Sequence, residues 1–299
     1  MIATASKRLF LFLGFFFTSL PGIAFADRDS VVVDCALGQI IQDTLERKTD
    51  RPLTVFIRGL CTEPVTITRD DVTLEGDGAT IAAAVTIDAA RRAEIAGLTI
   101  SNPAGDGITV TNGGSATIRD SHIDDNAGYG IFVRNDSFAI VNRNTMLRNG
   151  IVNSSNSDAS GIAVSLGSMV RALQNQIGEN LNTGIEVFDN ATYRSEGDVV
   201  AMRASTPAGR SAVDTYRAAY VDLRGVTVNG RVFLDQQAQL QVRNLPGSPS
   251  TLTGNIAVSV LSFLRLRTGV NAGASTLSCQ TSTFSVCVCD AVAICPAAP

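Results

Sequence analysis

Short alternations of apolar and polar residues recur along the middle of the chain at a nearly constant spacing. Four of them have the form Gly-Ile-x-Val and begin at Gly107, Gly130, Gly161 and Gly184. Their spacings are 23, 31 and 23 residues, and each is followed by a second alternation and a third apolar position. Strands this short and this regular predict a coil in which each strand stacks on its counterpart one turn later.

Asparagine residues recur in phase with these apolar positions. One row aligns Ser121 with Asn144 and Asn175, and another contains Asn126, Asn149 and Asn180. Stacked asparagines at tight turns can hydrogen-bond to the neighbouring turns and so satisfy backbone groups that a bend leaves open. The shared register favours such ladders over solvent-facing turn residues.

The pattern Gly-Ile-x-Val, Asn-x-Ile, Asn resembles the right-handed parallel β-helix repeats of pectate-lyase-like proteins over roughly residues 50 to 270. The resemblance implies an all-β, right-handed, single-stranded parallel β-helix. It also implies that the short amphipathic segment from Gly38 to Arg47 forms an N-terminal helical cap over open strand edges. The predicted organisation is a signal peptide (1–26), an N-terminal cap with the first strand (27–62), the β-helix (63–270) and a cysteine-rich C-terminal cap (271–299).

When the repeat spacing of the apolar positions is extended along the chain, it predicts one inward apolar residue in the first strand of each coil. We call these nine residues the anchors. They are Val65, Val85, Ile108, Ile131, Ile162, Ile185, Val213, Val232 and Ile256. At about 4.8 Å per coil, nine coils make a rod roughly 40 Å long.

The N-terminus has the order of parts of a secretory signal. Lys7-Arg8 precedes an apolar run from Leu9 to Leu20 and a small-x-small cleavage site at Ala24-Phe25-Ala26. The run is too short to span a membrane comfortably, and no other 18-residue apolar stretch follows. We therefore expect an extracytoplasmic protein, secreted or periplasmic, with no membrane span after signal removal.

Composition narrows the function classes. An apolar content of 45% excludes an intrinsically disordered chain. A net charge of −4 gives no indication of the basic surface that nucleic-acid-binding proteins use. Aromatic residues make up only 6%, Trp is absent and Gly numbers 26, which indicates a thin, turn-rich architecture. We expect a monomer.

In an oxidising compartment the six cysteines indicate disulfides. Cys35 and Cys61 flank one N-terminal unit and are expected to pair. Four more crowd the C-terminus, where two bridges allow three connectivities: Cys279, Cys287, Cys289 and Cys295. A zinc site is the alternative for these four, but Cys-x-Cys spacing suits zinc poorly and no His lies nearby.

Strand alternation places two rows of side chains on the outside of the first sheet. These rows are rich in aromatic residues although the chain is poor in them. The predicted polysaccharide-binding residues are Phe132, Phe188, Tyr216, Phe233 and Asp235. Aromatic faces beside carboxylates suit sugar rings, which present apolar C–H faces and hydroxyls. The alternative is that long loops fold over these rings and bury them.

Glu186, Asp214 and Arg134 are the candidate catalytic residues. The two acids fall on adjacent coils, about 5 Å apart, where such a pair can split its pKa values for acid and base roles. They could also hold a hard cation such as calcium, although no cofactor is predicted. Arg134 would neutralise a uronate or act as a base. Because a five-residue insertion lies between the two acids, the sequence does not fix whether they are in register. The alternative to a catalytic pair is two ordinary solvated acids on the surface.

Two longer turns, within Gly150 to Ser160 and near Arg203 to Arg210, are expected to border this face. The clustered motifs of polygalacturonase-like hydrolases and the calcium cluster of pectate lyases are absent from the sequence. The leading hypothesis is therefore an exported β-helix that recognises a polysaccharide along its first sheet. The alternatives are a polysaccharide lyase or glycoside hydrolase, and a non-catalytic structural or adhesive rod.

Overall fold

The computed structural model describes residues 28–48, 52–150, 159–202, 210–280 and 285–290. The chain winds as a right-handed parallel β-solenoid of about 10 turns, in which each turn adds one strand to each of three sheets. Every pairing between the named strands is parallel, since each strand stacks on its counterpart in the next coil. The predicted signal segment (1–26) lies outside the described residues.

The first sheet begins each predicted repeat. Its strands are Val65–Ile67, Val85–Asp88, Ile108–Thr111, Ile131–Val133, Ser160–Val164, Thr183–Val187, Ser211–Thr215 and Val232–Leu234. Two longer strands, Thr251–Val258 and Asn271–Cys279, continue this sheet and also run through the third, so that the first and third sheets join.

The second sheet is the longest uninterrupted face. Its 12 strands are Asp29–Asp34, Leu53–Arg58, Val72–Gly76, Ala93–Ala96, Ser115–Arg119, Phe138–Asn142, Met169–Leu173, Thr192–Glu196, Tyr220–Arg224, Gln239–Arg243, Phe263–Leu266 and Val286–Cys289.

The third sheet is built from shorter strands. Besides the two shared strands it contains Leu60–Cys61, Thr80–Ile81, Thr99–Ile100, His122–Ile123, Thr145–Leu147, Gln176–Gly178, Val199–Ala201 and Thr227–Asn229.

The nine predicted anchors of the first sheet are confirmed as a continuous buried row. Each pairs with the next, from Val65 with Val85 to Val232 with Ile256, and all are at most 1% exposed. An inward residue in one coil can be fully buried only when the coils on both sides cover it. The apolar period therefore sets the coil register.

The segment before the coils is held against the first of them. A 3₁₀ turn (Cys35–Leu37) is followed by the helix Ile41–Arg47, which buries Ile41 and Leu45. Gln42 Oε1 accepts a hydrogen bond from the backbone N–H of Thr66 at 2.9 Å. The helix thus satisfies a backbone donor at the outer edge of the first sheet, where none of the described strands precedes Val65–Ile67 in the ladder.

The predicted disulfide between Cys35 and Cys61 is present, and it ties the 3₁₀ turn to the third sheet. At the other end Cys279 is bonded to Cys287. Of the three connectivities left open for the C-terminal cysteines, this bond leaves only the one that pairs Cys289 with Cys295, which lies outside the described residues.

The predicted asparagine ladders are also present. In the second row, Asn149 Oδ1 accepts from the side-chain amide of Asn126 at 2.7 Å, and the amide of Asn149 donates to Asn180 Oδ1 at 3.0 Å. The Asn149 amide also donates to the carbonyl of Ile123 at 2.9 Å. Each asparagine thus joins the turns of neighbouring coils and satisfies a buried backbone group.

The first asparagine row ends in a buried acid. Asp198 Oδ1 accepts from the backbone and side-chain amides of Asn175 at 2.7 and 2.9 Å. Its Oδ2 accepts from Tyr193 and Ser195 at 2.8 and 2.7 Å. Tyr193 lies wholly inside the coil and is fully buried. Burial raises the pKa of Asp198 despite these four donors.

Among the described residues, no helix is long and apolar enough to cross a membrane.

The raised pKa of Asp198 predicts an unusual pH response. In the folded state this acid holds its proton to a higher pH than in the unfolded chain, so its contribution to stability falls as pH rises from about 4 through the folded pKa. Asp198→Asn should therefore be more stable than the parent near pH 7 and equally stable near pH 3. Urea unfolding across that range measures this, and a variant less stable at pH 7 would contradict it.

Candidate functional site

The outward face of the first sheet carries the predicted rows in the predicted register. Phe132 pairs with Ala163, Ala163 with Glu186, Glu186 with Asp214, and Asp214 with Phe233. The insertion before Asp214 therefore leaves the strand register unchanged. The two acids lie on adjacent coils, as the sequence predicted.

Glu186 is buried, with 7% of its surface exposed, although its side chain belongs to the outward row. Its Oε2 accepts a hydrogen bond from Ser160 Oγ at 2.9 Å, and its Oε1 accepts one from the Tyr216 hydroxyl. Burial and the negative charge of Glu186 raise the pKa of Tyr216 well above its usual value. The tyrosine therefore remains a hydrogen-bond donor to the carboxylate.

Asp214 is half-buried and less completely satisfied. Its Oδ2 accepts from Thr183 Oγ1 at 3.3 Å, while its Oδ1 has no hydrogen-bond partner among the described residues. The neighbouring Ser211 is also buried, and its hydroxyl lies close enough to Asp214 to lower the pKa of that acid. Burial raises the pKa of Asp214, and the Ser211 hydroxyl, the positive charge of Arg231 and the Thr183 hydroxyl oppose this rise only in part. The pair therefore places the hydrogen-bonded Glu186 beside an acid whose pKa is raised by burial.

Two aromatic rings stack beside the acids. Phe188 and Tyr216 lie parallel, with centroids 5.2 Å apart and planes 3° from each other. The guanidinium of Arg217 lies 4.8 Å from the Tyr216 ring and 5.2 Å from the Phe188 ring, and it also pairs with Asp189 at 3.2 Å. Both rings are half-buried, so one edge of the stack remains open to solvent.

Each of the other two outward aromatics also has an arginine over its ring. Arg134 lies 5.1 Å from the centroid of Phe132, which also contacts Tyr129 at 4.7 Å. Arg231 lies 4.4 Å from the centroid of Phe233. Phe132 and Phe233 are half-buried. The four predicted aromatic residues therefore form three arginine-covered groups along the rod.

Arg134 does not join the acids. Its position in the ladder is two coils from Phe188, which places it about 10 Å along the rod from Glu186. It covers Phe132 instead. Asp235 lies beyond Phe233 and accepts a hydrogen bond from Ser259 Oγ at 2.8 Å. The arrangement thus separates the three candidate catalytic residues into one acid pair and one distant cation.

A metal site is not assembled from the acids of the described segments. The only group there with three clustered His, Cys, Asp or Glu ligand atoms contains Cys35, Cys61 and Glu63, and its two cysteines are joined in a disulfide. Among the described residues Glu186 and Asp214 have no third such ligand beside them, whereas calcium takes six to eight oxygens.

Sequence reasoning missed the groups that hold the predicted residues in place. These are Ser160, Thr183, Tyr129, Arg217 and Arg231. Ser160 and Thr183 occupy equivalent strand starts, and each hydroxyl reaches the acid of the following coil. The sequence does contain a signal for these hydroxyl groups. Ser160, Thr183 and Ser211 each stand three positions before a residue of the outward row, namely Ala163, Glu186 and Asp214.

The two predicted turn extensions fall mainly on 151–158 and 203–209, which lie outside the described residues. Whether they border the first-sheet face therefore stays a prediction.

Comparisons with known proteins agree with this architecture. Residues 63–206 match the family model described as "Right handed beta helix region". Among solved structures, the chain is similar to the one titled "Crystal structure of pectate lyase Pel9A", with a TM-score of 0.58 and 11% identity over 84% of this chain and 80% of that one. A search of curated proteins returned no match. The protein is a right-handed parallel β-helix protein with a pectate-lyase-like fold, and at this identity the likeness shows the fold alone.

The hydrogen bond from Tyr216 to Glu186 should contribute measurably to stability. Tyr216→Phe leaves a buried carboxylate with one donor fewer, and we expect a loss of about 1.5–3 kcal/mol in the free energy of unfolding. Tyr220→Phe is the matched control, because its half-buried ring lies on the second sheet with no hydrogen bond from its hydroxyl in the described structure. Denaturant unfolding at pH 7 compares the two; equal losses would contradict the assignment.

Proposed function

We propose that this protein is exported and recognises an acidic or neutral polysaccharide along the outward face of its first sheet. The observation that carries the proposal is the half-buried stack of Phe188 and Tyr216 directly beside Glu186 and Asp214. This face offers an apolar surface and strong hydrogen-bond acceptors within one or two coils.

The chemistry of the face matches that of a sugar ring. Aromatic faces pack against the C–H groups of sugars, and carboxylates accept hydrogen bonds from their hydroxyls. Asp214 Oδ1 is a buried acceptor that makes no hydrogen bond within the described segments. A sugar hydroxyl would satisfy it, because an unpaired buried acceptor is costly and a bound donor removes that cost.

The extended form of the site favours a polymer over a single sugar. The arginine-covered groups at Phe132, Phe188 with Tyr216, and Phe233 are distributed over five consecutive coils. This span is about 20 Å at the spacing of parallel strands. The similarity in fold to a protein titled pectate lyase fits a role with polysaccharides.

Export is supported by the signal-like N-terminal segment and by the disulfides Cys35–Cys61 and Cys279–Cys287. Disulfides form and persist in oxidising compartments and are rare where thiols are kept reduced.

Removing two aromatic groups tests the proposal. Phe132→Ala combined with Phe188→Ala should lower binding to the best ligand on a glycan array at least about tenfold, since aromatic contacts of this kind contribute about 1 kcal/mol or more each. Phe56→Ala is the control, because Phe56 is 40% exposed on the outside of the second sheet. Unchanged glycan binding by the double variant would reject the site and favour the structural or adhesive rod.

The acid pair favours one alternative function, a lyase or glycoside hydrolase. Asp214 has a raised pKa, while Glu186 carries the negative charge that raises the pKa of Tyr216. On this assignment Asp214 would be the proton donor and Glu186 the charged carboxylate beside it. On this alternative, Glu186→Gln and Asp214→Asn would each lower product release from a cleaved polysaccharide at least about a hundredfold while binding is kept. If the parent releases no product from neutral or acidic polymers between pH 4 and 10, with and without calcium, the alternative fails.

A further inference from the structure

The outward face of the second sheet becomes rich in arginine in its C-terminal half. From the strand Met169–Leu173 to Asp290 it presents an excess of arginine, in a protein whose overall net charge is −4. The arginines are Arg171, Arg194, Arg224, Arg243, Arg265 and Arg267, and the acids are Glu196, Asp222 and Asp290. We call these nine residues the arginine strip; it extends over six coils, or about 24 Å.

Most of the strip is internally paired. Asp222, whose side chain is 1% exposed, accepts hydrogen bonds from both Arg224 at 2.8 Å and Arg243 at 3.0 Å. Burial opposes ionisation of this acid, but the two arginines outweigh it and hold the pKa of Asp222 below its usual value. At the C-terminal end Asp290 is shared by Arg265 and Arg267, each at 3.4 Å. Each of these acids thus faces two cations, and Glu196 pairs with Arg224 at 3.4 Å. With six arginines against three acids, the strip keeps a net positive charge.

Arg171 and Arg194 are the exception. They are direct partners in the parallel ladder, and both are exposed. Neither has an ion-pair or hydrogen-bond partner within the described segments, although Asp222 is the next residue in their row. Like charges directly opposite each other on a sheet destabilise it, so the fold retains an unfavourable pair here.

Two adjacent guanidinium groups form a fork for oxyanions. Each can donate two parallel hydrogen bonds to a carboxylate, sulfate or phosphate group, and a bound anion would turn their repulsion into attraction. The neighbouring outward positions are Met169 and Leu173 on one coil and Thr192 on the next, which provide apolar contact and a hydroxyl beside the charges.

We propose that the arginine strip binds a linear polysaccharide carrying sulfate or carboxylate groups, at a surface separate from the first-sheet site. An extended polysaccharide advances by roughly the height of one coil per sugar residue, so anionic groups along it can meet successive arginines. Arg171 and Arg194 bind the first anionic group, and the shared arginines around Asp222 and Asp290 attract the groups that follow.

The other anionic partners fit less well. A straight row on one sheet face touches one side of a duplex, whereas DNA-binding proteins engage phosphates with many cations across their surface. A membrane surface would need several exposed apolar side chains to insert, and within the strip's own strands only Met169 and Val286 are large, apolar and exposed.

The test compares Arg171→Gln/Arg194→Gln with Arg58→Gln/Arg91→Gln. The control arginines are also exposed and have no ion-pair or hydrogen-bond partner of their side chains within the described segments, and the change in net charge is the same. With heparin as probe in low salt, we expect the strip variant to lose at least about tenfold in affinity, with a shallower dependence on salt, because fewer counterions are released. The control should lose less than about twofold.

Further ligands and further variants identify the anionic group that binds and distinguish this site from the first-sheet site. Binding of a carboxylate-only polymer as well as heparin would show that either anion suffices, and binding of heparin alone would assign sulfate; neutral dextran should not bind. Arg171→Lys/Arg194→Lys keeps the charge but not the fork, so it should retain part of the affinity. The first-sheet variant Phe132→Ala/Phe188→Ala should bind heparin like the parent, so failure of one site does not imply failure of the other.

Three results would overturn the proposal. They are equal losses in the strip and control variants, tighter binding of a DNA duplex than of any polysaccharide, and binding to anionic vesicles without binding to heparin.

Discussion

The structure depends on one constraint: no coil can bury its inward side chains by itself. Ile131, for example, is sealed only because Ile108 lies on one side of it and Ile162 on the other. Each coil is therefore held in register by two neighbours, and a slip by one residue would turn every inward side chain outward. The asparagine ladders reinforce the same register at the turns, because each amide bonds to the coils on both sides.

This constraint also decides where chemistry can be placed. Since the inward positions are committed to the core, functional groups are left to the outward rows, and residues one period apart become neighbours. Glu186 and Asp214 are 28 positions apart in the chain and adjacent in the ladder. The same logic brings together Arg171 and Arg194 on another face. A substitution in an outward row therefore changes a site while the stacking of the coils continues.

The predictable part of the molecule follows from the same physics. The apolar period and the asparagine rows are repeated signals, so the register could be derived as far as Ile256 without knowledge of any contact. Interactions that occur once could not be derived in this way. Tyr193 inside the coil and its hydrogen bond to Asp198 have no counterpart in neighbouring repeats, and the positions of Arg217 and Arg231 over aromatic rings depend on side-chain conformation.

The arginine positions show why an outward row is harder to interpret than an inward one. On the first sheet, arginines cover aromatic rings and leave an amphipathic surface. On the second sheet, arginines share acids or, at Arg171 and Arg194, face one another. The residue type is the same, but its neighbours one coil away determine whether it packs on a ring, neutralises an acid or remains available to an anion. Because those neighbours are fixed by the coil register, the inward apolar rows also determine the electrostatics of the surface.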